Sequence, residues 1–314
     1  DNFESWPESA TYGYFGGGYA PFEVYFTTVD RIDFSNETTS TPGNNLPQGR
    51  SALAAVSSNS YGYFGGGFSP PTSYTNRIDR IDFSNETLSL PGNNLPQARE
   101  RLAACSSSSY GYFGGGDNES FVAKVDRIDF SNETTSAPGN NLPQARERLA
   151  ACSSSSYGYF GGGEASPYVK TIDRIDFSNE TTSAPGNNLT QTRRRLAATS
   201  SSSYGYFGGG RSPSYRTRID RIDFANETTS APGNNLSQAR DGLAAVSSSS
   251  YGYFGGGFKP GSPNYVNRVD RLDFSNETTS EPGNNLPQAR DALAAVSGGA
   301  SQRIKGSRTY GYFG

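Results

Sequence analysis

The chain has 314 residues, with 27 basic against 30 acidic, a net charge of −3, no His, no Met and two Cys. Its Arg residues are dispersed, which leaves no basic footprint for nucleic acid; no apolar run approaches the roughly 18 residues that span a bilayer; and the lack of His removes the ordinary proton shuttle and the commonest metal ligand. Apolar residues make up only 33%, yet 38 Gly, 20 Tyr and 19 Phe supply turns and aromatic strands where a helical protein carries aliphatic residues, so an ordered all-β chain is expected.

The N-terminal residues Asp1-Asn2-Phe3-Glu4-Ser5 show neither the basic start nor the apolar stretch of a secretion signal. Without Met at position 1 or anywhere else, the chain is expected to be a processed product, a fragment or a sequence lacking its start. Tyr-Gly-Tyr-Phe-Gly then begins at Tyr12 and returns at Tyr61, Tyr110, Tyr157, Tyr204, Tyr251 and Tyr310, with spacings of 49, 49, 47, 47, 47 and 59 residues. One module has been copied and only its loops resized. A fixed period of this length belongs to propellers and solenoids, in which each unit buries its apolar face against its neighbours. No linker interrupts the repeat, so residues 1–314 are expected to form a single domain.

The unit from Ala98 to Asn140 gives the local structure. Small residues from Leu102 to Cys105, the tract Ser106 to Ser109 and then Tyr110-Gly111-Tyr112-Phe113-Gly114 predict a first hairpin of tightly packed strands. After a loop of changing sequence, Val125-Asp126-Arg127-Ile128-Asp129-Phe130 predicts a third strand with period 2, and Ser131-Asn132-Glu133 a turn into a short outer strand at Thr134-Thr135-Ser136. Pro138-Gly139-Asn140-Asn141 then carries the chain to the next unit. Four short strands in 47 to 49 residues fit a propeller blade.

These residues resemble the kelch-type β-propeller. The resemblance rests on Phe113-Gly114-Gly115 closing an aromatic strand, on Ile128-Asp129-Phe130-Ser131-Asn132, and on Pro143-Gln144-Ala145-Arg146 before the next inner strand, and it covers essentially the whole chain. The departure is at the outer strand, where the kelch pattern has Trp and this chain has Thr134 and Thr135; its sole Trp, Trp6, lies outside the repeats. The phrasing Val-Asp-Arg-Ile-Asp-Phe-Ser-Asn-Glu-Thr with Tyr-Gly-Tyr-Phe-Gly-Gly-Gly is also similar to repeats of marine bacteriophage virion and tail structural proteins.

Strand counting sets the blade number. The Leu-Ala-Ala strand and the Asp-Arg-hydrophobic-Asp strand each occur six times and the Tyr-Gly-Tyr-Phe strand seven times, which predicts six four-stranded blades, seven being the alternative. The first blade begins at its second strand, so the strand from Ala292 to Val296 is expected to pair with the one at Tyr12 and close the ring. An insertion at 298–309 then tethers a spare strand, whose Tyr310, Tyr312 and Phe313 are candidates for pairing between subunits.

Chemistry is sparse. Carboxylates such as Asp79, Asp82, Asp126 and Asp129 recur in every unit and bracket an Arg, so they are expected to be rungs between blades, not catalytic residues or recurring calcium sites. No catalytic, cofactor-binding or metal site is predicted. Arg50, Arg99, Arg146, Arg193, Arg240 and Arg290 precede the inner strands and are expected to tie adjacent blades, in preference to forming an anion-capturing ring. Cys105 and Cys152 stand where other units have Val or Thr, and so predict free buried thiols.

Two sets of residues point outward. Asn36, Asn85, Asn132, Asn179, Asn226 and Asn276, with Asn118 in a loop, fit the N-glycosylation pattern, and copied turn chemistry explains the same residues. The loops between second and third strands differ from unit to unit and end on an aromatic residue (Tyr25, Tyr74, Phe121, Tyr168, Tyr215, Tyr265), which suits a sugar or a protein interface. The expected function is a non-enzymatic structural or adhesive propeller, extracellular or on a virion surface, that associates with itself or other structural subunits in a filament or appendage. The alternative is a lectin-like propeller with several equivalent weak sites for cell-surface glycans.

Overall fold

The computed structural model describes residues 10–71 and 73–300, and in it every repeat contributes to a four-stranded antiparallel sheet. In the third blade these strands are Ala103–Ser106, Tyr110–Gly114, Val125–Asp129 and Thr135–Ser136. Tyr112 stands opposite both Cys105 and Arg127, which fixes the register of the three inner strands. The turns follow from short polar side chains. Ser107 Oγ accepts from the Tyr110 amide at 3.0 Å in the first hairpin; in the last, Asp129 Oδ1 accepts from the Ser131 amide at 2.8 Å and Asn132 Oδ1 from the Thr134 amide at 2.9 Å.

Six such sheets form a ring, and the protein is an all-β, six-bladed propeller. The innermost strands line the central channel with Ala and Ser, such as Ala104 and Ser106. Blade 1 takes its innermost strand from the far end of the described chain: Ala294–Ala300 pairs antiparallel with Ala10–Gly16, Tyr14 opposite Val296 and Gly16 opposite Ala294. This strand starts two residues later than 292 and runs past 296, so the first residues of the expected insertion are strand, Gly298 facing Tyr12 and Ala300 facing Ala10. The rest of that insertion, the segment with Tyr310, Tyr312 and Phe313, and Trp6 lie outside the described residues.

The seams between blades explain the copied motif. A Cβ on Gly65 would come within 2.6 Å of the Phe113 ring in the next blade, and the same close approach of Gly to Phe recurs from Gly16 and Phe64 round to Gly255 and Phe15. Tyr14 stacks on Phe83 of the next blade at 5.5 Å, and Tyr253 on Phe34 at 5.2 Å. The Tyr14 hydroxyl donates to Glu86 Oε1 at 3.0 Å, where Arg31 Nη1 arrives at 2.8 Å; at the closing seam Tyr253 and Arg271 meet Glu37 at 3.0 and 2.9 Å. The six Glu of the Asn-Glu-Thr turns all have φ of 58–59°, a left-handed conformation that brings each carboxylate to the preceding blade.

These rungs correct the expectation about the Asp pairs. Arg and Glu link the blades, whereas the first Asp of each pair is buried with an Arg of its own blade and the second accepts from the turn after it, as Asp82 does from the Ser84 amide at 2.8 Å. Arg50 and its equivalents are likewise corrected. They are fully buried, and each guanidinium holds together strands of one blade: Arg50 Nη2 reaches the Phe64 carbonyl at 2.7 Å and Asp79 at 2.8 Å, and Arg290 Nη2 reaches the Phe15 carbonyl at 3.0 Å and Asp30 at 2.9 Å. Five donors on a planar fork can satisfy a carboxylate and strand-end carbonyls at once, which uses the cation where no anion from solvent reaches it. Cys105 and Cys152 are free and buried, packed on Gly158 and Gly205 of the next blade, and burial pushes both thiols up.

Candidate functional site at the channel mouth

Antiparallel strands place the connections of second to third strand and of outer to next inner strand at one end of every blade, and the Ser and Asn-Glu-Thr turns at the other. The first end varies far more in chemistry than the second. After each buried Arg stand Ser51-Ala52, Glu100-Arg101, Glu147-Arg148, Arg194-Arg195, Asp241-Gly242 and Asp291-Ala292; after each triple Gly stand Tyr19, Phe68, Asp117, Glu164, Arg211 and Phe258. Backbone bridges join the two sets, Ser51 to Phe68, Glu100 to Asp117, Glu147 to Glu164, Arg194 to Arg211, Asp241 to Phe258 and Asp291 to Tyr19. Each loop then folds back as a small hairpin, so that Tyr19 also pairs with Tyr25 and Phe258 with Tyr265.

A closed ring of backbone hydrogen bonds supports this rim. The Arg101 amide donates to the Ala52 carbonyl at 2.8 Å, and the chain of such bonds passes through Arg148, Arg195, Gly242 and Ala292 back to Ala52. All six residues are left-handed, with φ of 53–65° although only one is Gly. They line a cavity of about 510 Å³ at the mouth of the channel.

Aromatic rings and ion pairs both line the cavity. Over blades 5, 6, 1 and 2 the rings run as a continuous arc, with centroid separations of 6.0 Å from Tyr215 to Phe258, 5.1 Å to Tyr265, 6.0 Å to Tyr19, 5.2 Å to Tyr25 and 5.8 Å to Phe68. An ionic network runs from blade 3 through blades 4, 5 and 6 to blade 1, so that it overlaps the aromatic arc at blades 5, 6 and 1. Arg101 Nη1 lies between Glu100 and Glu147 at 3.0 and 3.1 Å, and Arg148 Nη1 lies 2.7 Å from both Glu147 and Glu164. Arg194 also binds Glu164; Arg195 binds Asp291 and lies 3.7 Å from Asp241, which Arg211 meets at 3.1 Å. Five guanidinium groups thus face five carboxylates.

Burial sets the electrostatics. It raises the Asp291 carboxyl to about 6, against the pull of Arg195 and with Asp241 adding to the rise, and it raises Asp241 and Glu100 as well. Burial also acts on Glu164, but the hydrogen bonds from Arg194 and Arg148 hold it below the usual carboxylate range. The Tyr265 hydroxyl is pushed up to about 12 by burial and by Asp291. Among the described residues no group of three or more His, Cys, Asp or Glu is arranged to hold a metal ion.

Of the six loop aromatics singled out in the sequence, Tyr25, Tyr215 and Tyr265 line the cavity. Tyr74 instead donates to Asp117 Oδ1 at 3.2 Å, Tyr168 carries the Arg194 guanidinium 4.5 Å above its ring, and Phe121 closes its hairpin on Asp117. Four of the six loops, those of blades 5, 6, 1 and 2, thus contribute to one cavity. Asn36, Asn85, Asn132, Asn179, Asn226 and Asn276 are exposed at the opposite end, each Oδ1 taken by the Thr two residues on, while Asn118 is half-buried in a loop at the mouth. The residues after the buried Arg were missed as site residues, and in the variable loops the terminal aromatic was singled out but not the residue after the triple Gly. Their signal is that they change sign, size and polarity within an otherwise copied sequence.

Compared with family models and with curated proteins, the chain has no match to either.

Proposed function

We propose that this protein is a non-enzymatic adhesive propeller, kelch-like in its blade pattern, working on an extracellular or virion surface of the kind whose repeats it resembles. The six copied blades are its frame and the channel mouth is its binding face. One observation carries this reading: chemical variation is concentrated at one end of the blades, where it builds a single cavity, while residues at the seams are repeated. Selection for a rigid frame with one particular partner leaves that pattern, because interfaces inside a ring must match their neighbours and a mouth need not.

Assembly with further copies or other structural subunits belongs to the same proposal and rests on the repeated strand sequence at Tyr310. Electron microscopy of native material tests the setting. Rings borne on filaments, appendages or virions are expected, and free rings confined to a cell interior would overturn it. Light scattering with and without residues 306–314 tests assembly, an unchanged particle size being the contrary result.

A further inference from the structure

Resting on that binding role, we propose that the channel mouth is one site for a neutral saccharide, one ligand per ring. The argument begins with charge. Glu100, Glu147, Glu164, Asp241 and Asp291 each meet a guanidinium, and Asp117 accepts from Tyr74 instead, so at these pairs an anion would have to displace a carboxylate from its Arg, and a cation an Arg from its carboxylate. Neither exchange gains a net field, and each breaks a partly buried pair. A hydroxyl group needs no exchange. It donates to a carboxylate and accepts from the neighbouring guanidinium, and the cavity-lining pairs Glu100–Arg101 and Asp291–Arg195 offer those two partners side by side.

The aromatic arc completes the match. Tyr265, Tyr19 and Tyr25 line the open cavity while remaining half-exposed, and burial raises the hydroxyls of Tyr265 and Tyr25 further above the usual phenol range. A pyranose presents an apolar face of C–H groups edged with hydroxyls, which is the shape that fits rings and ion pairs lining one cavity. The volume of about 510 Å³ lies within the ordinary range for a small-molecule site and takes a short oligosaccharide. Because the six sectors of the rim differ, there is one orientation of the ligand and no sixfold set of equivalent sites.

The variants can be chosen from the chain itself. Glu147→Ser with Arg148→Ala writes into blade 4 the Ser51-Ala52 pair that blade 2 already carries in the same backbone ring. Arg101 keeps Glu100 and Glu164 keeps Arg194, so no charge is stranded. Tyr265→Ala removes one ring of the aromatic arc, and Ser249→Ala at the opposite end is the control.

The full chain is screened on an array holding neutral and acidic glycans, and hits are titrated by calorimetry. Neutral glycans should bind at one per chain. Tyr265→Ala and the double variant should each weaken binding by about tenfold or more, with melting temperature and the control variant unchanged. A preference for acidic glycans, six ligands per chain, indifference to both mouth variants, or silence across the array overturns the saccharide inference. Mouth-dependent attachment to a protein, with no glycan bound, overturns it too while leaving the adhesive role intact. Cleavage of a bound neutral glycan would keep the ligand class and sink the non-enzymatic role.

Discussion

The Ala52 amide donates to the Ala292 carbonyl at 2.7 Å, and this bond completes the ring that joins all six blades beneath the mouth. Both residues are held at left-handed φ, 55° and 53°, which costs an L-residue of order 1 kcal/mol or more. Six such positions in a cycle stabilise one another, since each supplies the acceptor for the next donor. The rim of the site is therefore backbone, and its side chains are free to differ.

Closure through the chain ends should be indispensable. Removing residues 290–314 takes the innermost strand from blade 1 and strips Arg290 from the buried Asp30 and the Phe15 carbonyl. The expected result is loss of a cooperative thermal transition. The milder Arg290→Ala should cost about 3–5 kcal/mol by leaving Asp30 buried without its partner. Denaturant unfolding measures both, and a truncated chain that melts like the parent would contradict the closed ring.

The glycine of each seam should be replaceable only together with its neighbour. Gly65→Ala puts a methyl group 2.6 Å from Phe113 and should destabilise by about 1–3 kcal/mol through overpacking. Phe113→Leu opens space at the same point. The double variant is expected to be less unstable than the sum of the two single variants by at least 0.5 kcal/mol or so, whereas distant sites add. Strict additivity in the cycle would mean that the seam relaxes elsewhere.

The six sequons share one conformation, so in a glycosylating compartment Asn36, Asn85, Asn132, Asn179, Asn226 and Asn276 should be modified together, at the end of the ring away from the mouth. Intact mass of native material before and after glycosidase treatment checks this. A mass without glycan leaves them as turn formers, and in either case Asn132→Ala should cost about 1 kcal/mol because both Thr134 hydrogen bonds lose their acceptor.

Asp291 should make stability depend on pH in an unusual sense. Its carboxyl is raised from 3.8 to about 6 by burial, with Arg195 opposing and Asp241 contributing, so between those values the folded chain keeps a proton that the unfolded chain has lost. The folded state then binds more protons, and the contribution of this group to stability falls as pH rises from about 4 to about 6. Subtracting the stability curve of Asp291→Asn from that of the parent should reveal the decline. A flat difference across that window, or an Asp291 carboxyl resonance that titrates near 4, would refute it.

Much of the frame was legible because copying makes local signals redundant. Tyr-Gly-Tyr-Phe-Gly, the Ile-Asp-Phe-Ser-Asn turn and the count of six inner strands specify four short strands per unit and a ring closed by its ends. The direction of side chains across seams was not legible in the same way. Asp79 and Arg80 are adjacent in sequence, yet Asp79 turns into its own blade to meet Arg50 while Arg80 crosses to Glu133 of the next at 2.7 Å. Strand alternation separates the two faces, but it does not say which face meets which neighbour.

The sequence by itself determined the class, the repeat and the blade count, because these depend on composition, period and pairing within 50 residues or so, and the strand that closes the ring followed from the count, since the first unit lacks an inner strand and the last supplies one. The tertiary structure alone decided where the mouth lies and what it contains. Tyr19, Phe258, Arg148 and Asp291 come from three blades and from both ends of the chain, and nothing short of closing the ring brings them around one cavity. It also decided that Arg50 and its five equivalents are interior ties and not ligands of a partner, since burial is a property of the assembled sheets and is not written in any one repeat.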